Sequence, residues 1–432
     1  MGIIPSKKNK RYSYTPQYYK GEGSPFEMKH KFDDYRTTVG SNGGIKQRFT
    51  SAWDEFRNSP DKAVNRRVLI IILILFFNSK FYEQFASVLY IFSLVLLAGV
   101  LVFGRKINGA TSWYNFGGIG LQPSEFAKAF TALALAKLMS DRQYNLKLIK
   151  NQIKAFFVIF LPAFFIALQP DMGSVLIYFA FFFVLNREGL TLAYILFGVL
   201  SIILFILTIY FGAKWILFIC LIIITLSTLY GLYKDKRFFR FNAIRIISLY
   251  LFTSLFVFGI GYTYDNILEP HQKDRFDILL GKTTDLKDKG YNTYQSELTI
   301  SSGGFLGKGF LQGDRTQGKF VPEQETDYIY STVGEEWGFL GSSLVIILFM
   351  LLLYRIIYLA EKQTNKFGRI YGYGIASIIF FHLIVNIGMV IGLLPTIGIP
   401  LPFFSYGGSS LWGFTLLLFI FIRLDAHKKY DW

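Results

Sequence analysis

Glu125 and Lys128 are two ionisable side chains at the start of an apolar run, where a membrane helix gains nothing from charge. They follow Leu121-Gln122-Pro123-Ser124. A spacing of three residues puts both on one helical face. The pair either neutralises itself or leaves Lys128 facing an anionic ligand. A second break, Leu168-Gln169-Pro170-Asp171-Met172-Gly173-Ser174, sets Asp171 between two apolar runs, where proline stops the helix. A long polar stretch, 264–327, carries Asp274-Arg275-Phe276, Asp277, Thr284-Asp285-Leu286, Asp288, Gly290-Tyr291 and Gln295-Ser296. The sequence continues through Ser301-Ser302-Gly303-Gly304-Phe305-Leu306-Gly307-Lys308-Gly309 to Gly334-Glu335-Glu336-Trp337-Gly338-Phe339. Two further segments are polar and irregular: Gly109-Ala110-Thr111-Ser112-Trp113-Tyr114-Asn115-Phe116-Gly117, and Leu394-Pro395 through Ser405 to Ser410. By residue type alone the loop carboxylates read as solvated groups, and the specific chemistry left open is an anionic ligand facing Lys128.

The elements that must position these residues are membrane helices. The chain has 432 residues, 52% apolar and 18% aromatic, with only 17% charged, against roughly 25% in a soluble domain. Several apolar runs approach the roughly 20 residues that cross a bilayer as a helix. A soluble enzyme, a disordered chain and a disulfide scaffold are excluded; the lone Cys220 has no partner for an internal disulfide. Ten spans are predicted: about 84–103, 124–139, 155–169, 173–186, 190–212, 215–233, 243–263, 337–358, 370–394 and 408–424. The fold class is therefore all-α, a polytopic transmembrane bundle with a long extracytoplasmic loop. The net charge of +16 collects in short loops and at the two ends, as the positive-inside rule requires, so nucleic-acid binding is not inferred. The basic segments 141–154, 234–237, 355–369 and 423–429 are read as cytoplasmic. Parity then puts 105–124, 264–327 and 395–410 outside, where irregular backbone near a membrane implies a water-filled crevice. Residues 1–67 are expected to form a basic, flexible cytoplasmic tail, 68–83 a short apolar run and junction, 84–424 the membrane domain, and 425–432 a cytoplasmic end. His382, inside a span, is either functional or a neutral histidine bonded between helices.

In order and spacing, the four irregular segments resemble the SEDS family of RodA and FtsW proteins over about residues 80–424. Ile399-Pro400-Leu401-Pro402 is more similar to the RodA elongation branch. The resemblance implies a peptidoglycan glycosyltransferase in the bacterial cytoplasmic membrane. Such a protein polymerises lipid II, a disaccharide-peptide on undecaprenyl pyrophosphate, with inversion, beside a class B penicillin-binding protein that crosslinks the strands. It also implies that the catalytic acid is Asp285, which stands shortly before the Gly-Tyr and Gln-Ser pairs; Asp277 and Asp288 are the alternatives. Trp113, Glu125, Lys128, Asp171, Arg275, Gln295, Ser296, Lys308, Glu335 and Ser405 are expected to line the substrate site. The pyrophosphate calls for a cation, supplied by Lys128, Arg275, Lys308 or a divalent ion such as Mg or Mn, although no compact ligand set is visible.

The chain departs from the family pattern in three places. Ser112 stands where the family usually has Arg before Trp, and Arg105 or Lys106 are the candidate replacements. The run near 190–233 reads as an additional pair of spans. The segment before Lys80 does not read as the family's first two helices. Two other functions stay open on these residues alone, a lipid II flippase and a non-catalytic scaffold of the cell-wall machinery.

Overall fold

The computed structural model describes residues 77–107, 110–116, 119–234, 238–268, 270–282 and 290–427. The expected tail at 1–67, most of the run at 68–77 and the chain end from 428 lie outside them. Each of the ten expected spans coincides with a helix. They are α1 (Ser79–Phe103), α2 (Pro123–Ser140), α3 (Ile149–Ala167), α4 (Met172–Arg187), α5 (Ala193–Phe211), α6 (Ala213–Lys234), α7 (Phe238–Tyr262), and then α11 (Ile329–Glu361), α12 (Lys366–Val390) and α13 (Gly408–His427). Three short helices lie between α7 and α11: α8 (Pro270–Leu279), α9 (Tyr291–Gly303) and α10 (Asp314–Gln317).

The segment after α1 is not the plain loop expected from sequence. It folds as an antiparallel ribbon of β1 (Arg105–Ile107), β2 (Ala110–Phe116) and β3 (Ile119–Leu121). The run Ala110-Thr111-Ser112-Trp113-Tyr114 has the β-branched and aromatic residues that suit a pleated surface. Pairing satisfies its backbone groups near the membrane, which an open loop would not.

The bundle is organised around α2 and α12. Among the described residues eight helices are long and apolar enough to cross a membrane, and α2 is not among them. It carries Glu125, Lys128 and Lys137 along with a series of alanines. The structure explains this composition: α2 is enclosed by α1, α3, α12 and α13, so its surface meets protein instead of lipid. Ala127, Ala129, Ala132 and Ala136 are buried on it. Small residues let membrane helices approach closely. A side chain added at Gly374 of α12 would lie 3.3 Å from Ala132 Cβ, and one at Gly372 only 2.7 Å from Ala360 Cβ and from the Phe421 ring. Any larger residue at Gly372 forces α12 away from α11 and α13.

By contrast, α5, α6 and α7 pack mainly on one another and touch the other helices through α3, α4 and α8. Phe205 of α5 meets the Phe276 ring of α8 edge-on at 5.3 Å. Most of their large apolar side chains are exposed, as lipid-facing helices require. The two spans expected at 190–233 are thus present as α5 and α6, joined to α7.

Polar contacts divide between the two ends of the bundle in the way the charge pattern predicts. At the end read as cytoplasmic, Arg187 bonds Glu361 at 2.7 Å, Arg369 bonds Glu188 at 3.1 Å, and Gln363 donates to Asp425 at 2.6 Å. At the other end, Gln122 reaches Asp171 (3.1 Å), Arg275 reaches the Thr396 carbonyl (2.8 Å), and Ser409 reaches the Gly120 carbonyl (2.9 Å).

Candidate functional site

The outer end brings together segments that are far apart in sequence. Asp171 caps α4: its Oδ1 accepts from the Ser174 N–H at 3.0 Å, and its Oδ2 from the Ser174 hydroxyl at 2.8 Å and from Gln122 Nε2 at 3.1 Å. The carboxylate satisfies a free helix N-terminus and ties α4 to the start of α2. Arg275 projects from α8, exposed, with Nη1 on the Thr396 carbonyl. This bond holds α8 against the segment between α12 and α13.

That segment is shaped by its own turns. Ser405 is buried and accepts from the Leu401 N–H at 2.8 Å. Phe403 has φ +63°, a conformation uncommon outside glycine. Asn386 of α12, fully buried, donates from one Nδ2 to the carbonyls of Asp327 (2.8 Å) and Ile399 (2.7 Å). One side chain thus joins the approach to α11 to the Ile-Pro-Leu-Pro segment. Sequence reasoning did not single out Asn386; an amide inside an apolar run was the available signal.

The ribbon forms another wall. Trp113 pairs across from Arg105, and its ring lies against Gly120, where an added Cβ would be 3.1 Å from Cε3. Ser112 is buried, while Arg105 is exposed one strand away. The cation proposed to replace the family's arginine therefore stands in register with the neighbouring tryptophan.

Lys128 and Glu125 are enclosed by the bundle and do not reach its surface. They are 1% and 3% exposed and bond at 2.9 Å. Lys128 Nζ also lies 3.0 Å from His382 Nε2 and 5.3 Å from the centre of the Phe414 ring. His382 Nδ1 is 3.1 Å from the Pro400 carbonyl. A carbonyl only accepts, so Nδ1 carries the proton, and Nε2 accepts from the lysine. His382 is therefore the neutral histidine bonded between helices. Glu125 Oε2 is buried without a partner among the described residues.

Glu335 and Lys308 form a second network. Glu335 is fully buried. Its Oε1 accepts from Lys308 Nζ (2.8 Å), Ser302 Oγ (3.2 Å) and the Arg315 N–H (3.0 Å), and its Oε2 from the Thr316 N–H (2.8 Å) and hydroxyl (2.7 Å). Bonding to Glu335 raises the pKa of Lys308, with help from Asp314 at 3.1 Å. Around this carboxylate α11 breaks at Gly338 (φ 62°, ψ −158°). The freed backbone groups are taken by the glycine-rich segment. Lys308 and Gly309 N–H donate to the carbonyls of Glu335 and Glu336, and Phe339 and Leu340 N–H donate to those of Gly304 and Phe305. Gly307, at φ +81°, admits the approach, because a Cβ there would fall 2.2 Å from the Glu336 carbonyl oxygen.

Gln295 and Ser296 anchor α9. Gln295 accepts from Arg315, and Ser296 donates to the Val390 carbonyl at 2.8 Å. Asp285 and Asp288 lie outside the described residues. Asp277 is described and accepts from the Tyr264 hydroxyl. No three His, Cys, Asp or Glu side chains gather as a metal-ligand set among the described residues.

Known proteins are similar to this chain in sequence and in fold. The chain is 30% identical over 362 residues to the peptidoglycan glycosyltransferase MrdB of Escherichia coli K12, covering 84% of this chain and 83% of that one. It is 30% identical over 402 residues to the peptidoglycan glycosyltransferase RodA of Treponema pallidum, covering 84% and 88%. Among solved structures, a chain from a peptidoglycan synthase complex that coordinates polymerization and crosslinking superposes with a TM-score of 0.60 at 26% identity, covering 86% and 92%. The rod shape determining protein RodA of Thermus thermophilus gives 0.54 at 25%, covering 86% and 91%. The family model that spans FtsW, RodA and SpoVE, described as cell cycle protein, matches residues 64–430, and the chain belongs to that family.

Proposed function

We infer that the chain is a peptidoglycan glycosyltransferase, a multi-pass protein of the bacterial inner membrane that polymerises lipid II at the outer face during cell elongation. The observation that carries the reading is the convergence, at one end of the bundle, of the Trp113 ribbon, Asp171, Arg275 and the Pro395–Ser410 segment. A lipid-linked substrate keeps its chain in hydrocarbon while its head group reacts in water. A polar crevice at one membrane face serves that need, whereas a flippase needs a polar path through the bundle. The buried charges found there, Glu125 and Lys128, are paired with each other.

In the mechanism we propose, Asp285 takes the proton from the acceptor sugar hydroxyl as its oxygen attacks the donor anomeric carbon. The bond from that carbon to the pyrophosphate oxygen breaks, and undecaprenyl pyrophosphate leaves with the electron pair. General-base help of this kind contributes roughly 10²–10⁴ in rate. Arg275, exposed on α8, is the described cation best placed to meet the leaving charge; Lys308 is engaged by Glu335 and Asp314. A Mg or Mn ion remains part of the proposal, but the described residues do not form a site for it, and no step depends on it. A class B penicillin-binding protein is the proposed partner.

The test is lipid II polymerisation in detergent with that partner, comparing the chain with Asp285→Ala on a glycan gel. We expect strands from the first and none from the second, with equal melting temperatures. Strands from both would move the base to Asp277 or Asp288. Strands from neither would favour transport or scaffolding.

A further inference from the structure

Asp327 was not among the expected site residues, yet its carboxylate lies where several outer segments come near one another. A Cβ on Gly398 would lie 3.1 Å from Asp327 Oδ2, so the carboxylate rests against the bare backbone of the outer Pro-rich segment. Thr326 of its own segment is a hydrogen-bond partner of the carboxylate, and Glu323, Arg275 of α8 and Asp171 at the start of α4 act on it through their charges. The Asp327 carbonyl is held by Asn386, whose Oδ1, on the same fully buried amide, has no partner among the described residues. No lysine or arginine makes an ion pair with Asp327 among the described residues; Arg275 bonds the Thr396 carbonyl through Nη1. A half-buried carboxylate with no ion-pair partner among the described residues, close to Arg275 and Thr326, keeps acceptor capacity for further donors.

We propose that Asp327 binds substrate, accepting hydrogen bonds from hydroxyl or amide donors of the amino-sugar head group in the outer crevice. This rests on the transferase reading for the identity of the ligand. The role is binding and not proton transfer, so Asp285 keeps the base. Burial and the neighbouring Glu323 raise the Asp327 pKa to about 6. The ionised form, the stronger acceptor, therefore prevails above that pH and is lost below it.

The experiment measures lipid II binding to the full chain in nanodiscs between pH 5 and 8, for the native protein, Asp327→Asn and Asp327→Glu, with melting curves at each pH. One charge-assisted hydrogen bond corresponds to about tenfold or more in affinity. The native protein should bind about tenfold more tightly at pH 8 than at pH 5. Asp327→Asn should be flat and should meet the native value at pH 5, and Asp327→Glu should recover the slope. Parallel curves for native and Asn variants, or a flat native curve, overturn the proposal. Polymerisation is assayed on the same samples. A pH-dependent, Asp327-dependent binding curve without polymer counts against the transferase reading alone. Polymer with pH-independent binding counts against Asp327 alone.

Discussion

The Glu125–Lys128 pair gives a prediction that separates the two readings of those residues. Both side chains are almost fully buried, 2.9 Å apart, and Glu125 Oε2 has no described partner. With an effective dielectric of about 20, two charges at that distance attract by roughly 6 kcal/mol, most of it offset by desolvation of both ions. Lys128→Met strands the carboxylate inside the bundle and should destabilise it by about 3–5 kcal/mol. Glu125→Gln leaves the ammonium with His382 and the Phe414 ring, so its loss should be smaller, about 2–3 kcal/mol. The double variant has no buried charge left to strand and should be more stable than the sum of the singles implies, with a coupling of about 2 kcal/mol or more. The assay is reversible unfolding in mixed micelles, with each variant scored for lipid II binding. Additivity within about 0.5 kcal/mol would refute the ion pair as a stabilising unit. Singles that fold normally but lose lipid II binding would show that Lys128 serves an anionic ligand instead.

Three further expectations concern the outer loop. Glu335→Gln puts an NH₂ group against either the Thr316 donors or the Lys308, Ser302 and Arg315 donors; it should destabilise the chain by about 3 kcal/mol and speed proteolysis between 304 and 328, and unchanged cleavage rates would contradict the network. Gly338→Ala, at φ 62° and with the Gly307 nitrogen 2.4 Å from the added Cβ, should lower the melting temperature more than Gly198→Ala, where a Cβ meets nothing within 4 Å; equal effects would disprove the tight break. Asp327, with a native pKa of about 6 against an ordinary value of 3.8, binds more protons folded than unfolded between those two values. Stability should therefore fall as pH rises through that window and level off above about 6; melting curves from pH 4 to 8 should show this slope for the native chain and not for Asp327→Asn.

The positions of the ten helices were legible in the chain itself, because a bilayer imposes a fixed apolar length that needs no tertiary context. The four irregular segments were legible too, since proline, glycine and charge interrupt hydropathy locally. Several features were decided by tertiary structure alone. Sequence spacing left Lys128 either paired or facing a ligand; the ammonium is enclosed by residues of α2, α12 and α13 that no local pattern connects. Glu335 read as a ligand contact, yet its five donors come from four positions spread over 302–316. The ribbon at 105–121 was hidden because its strands are short and their pairing is non-local to any helical period. Asn386 went unnoticed for the same reason, and Asp327 was legible as part of the irregular outer segment but not as a site residue. A side chain's function in a crevice depends on which distant backbones meet there, and the packing of small residues along α2 and α12 decides that meeting.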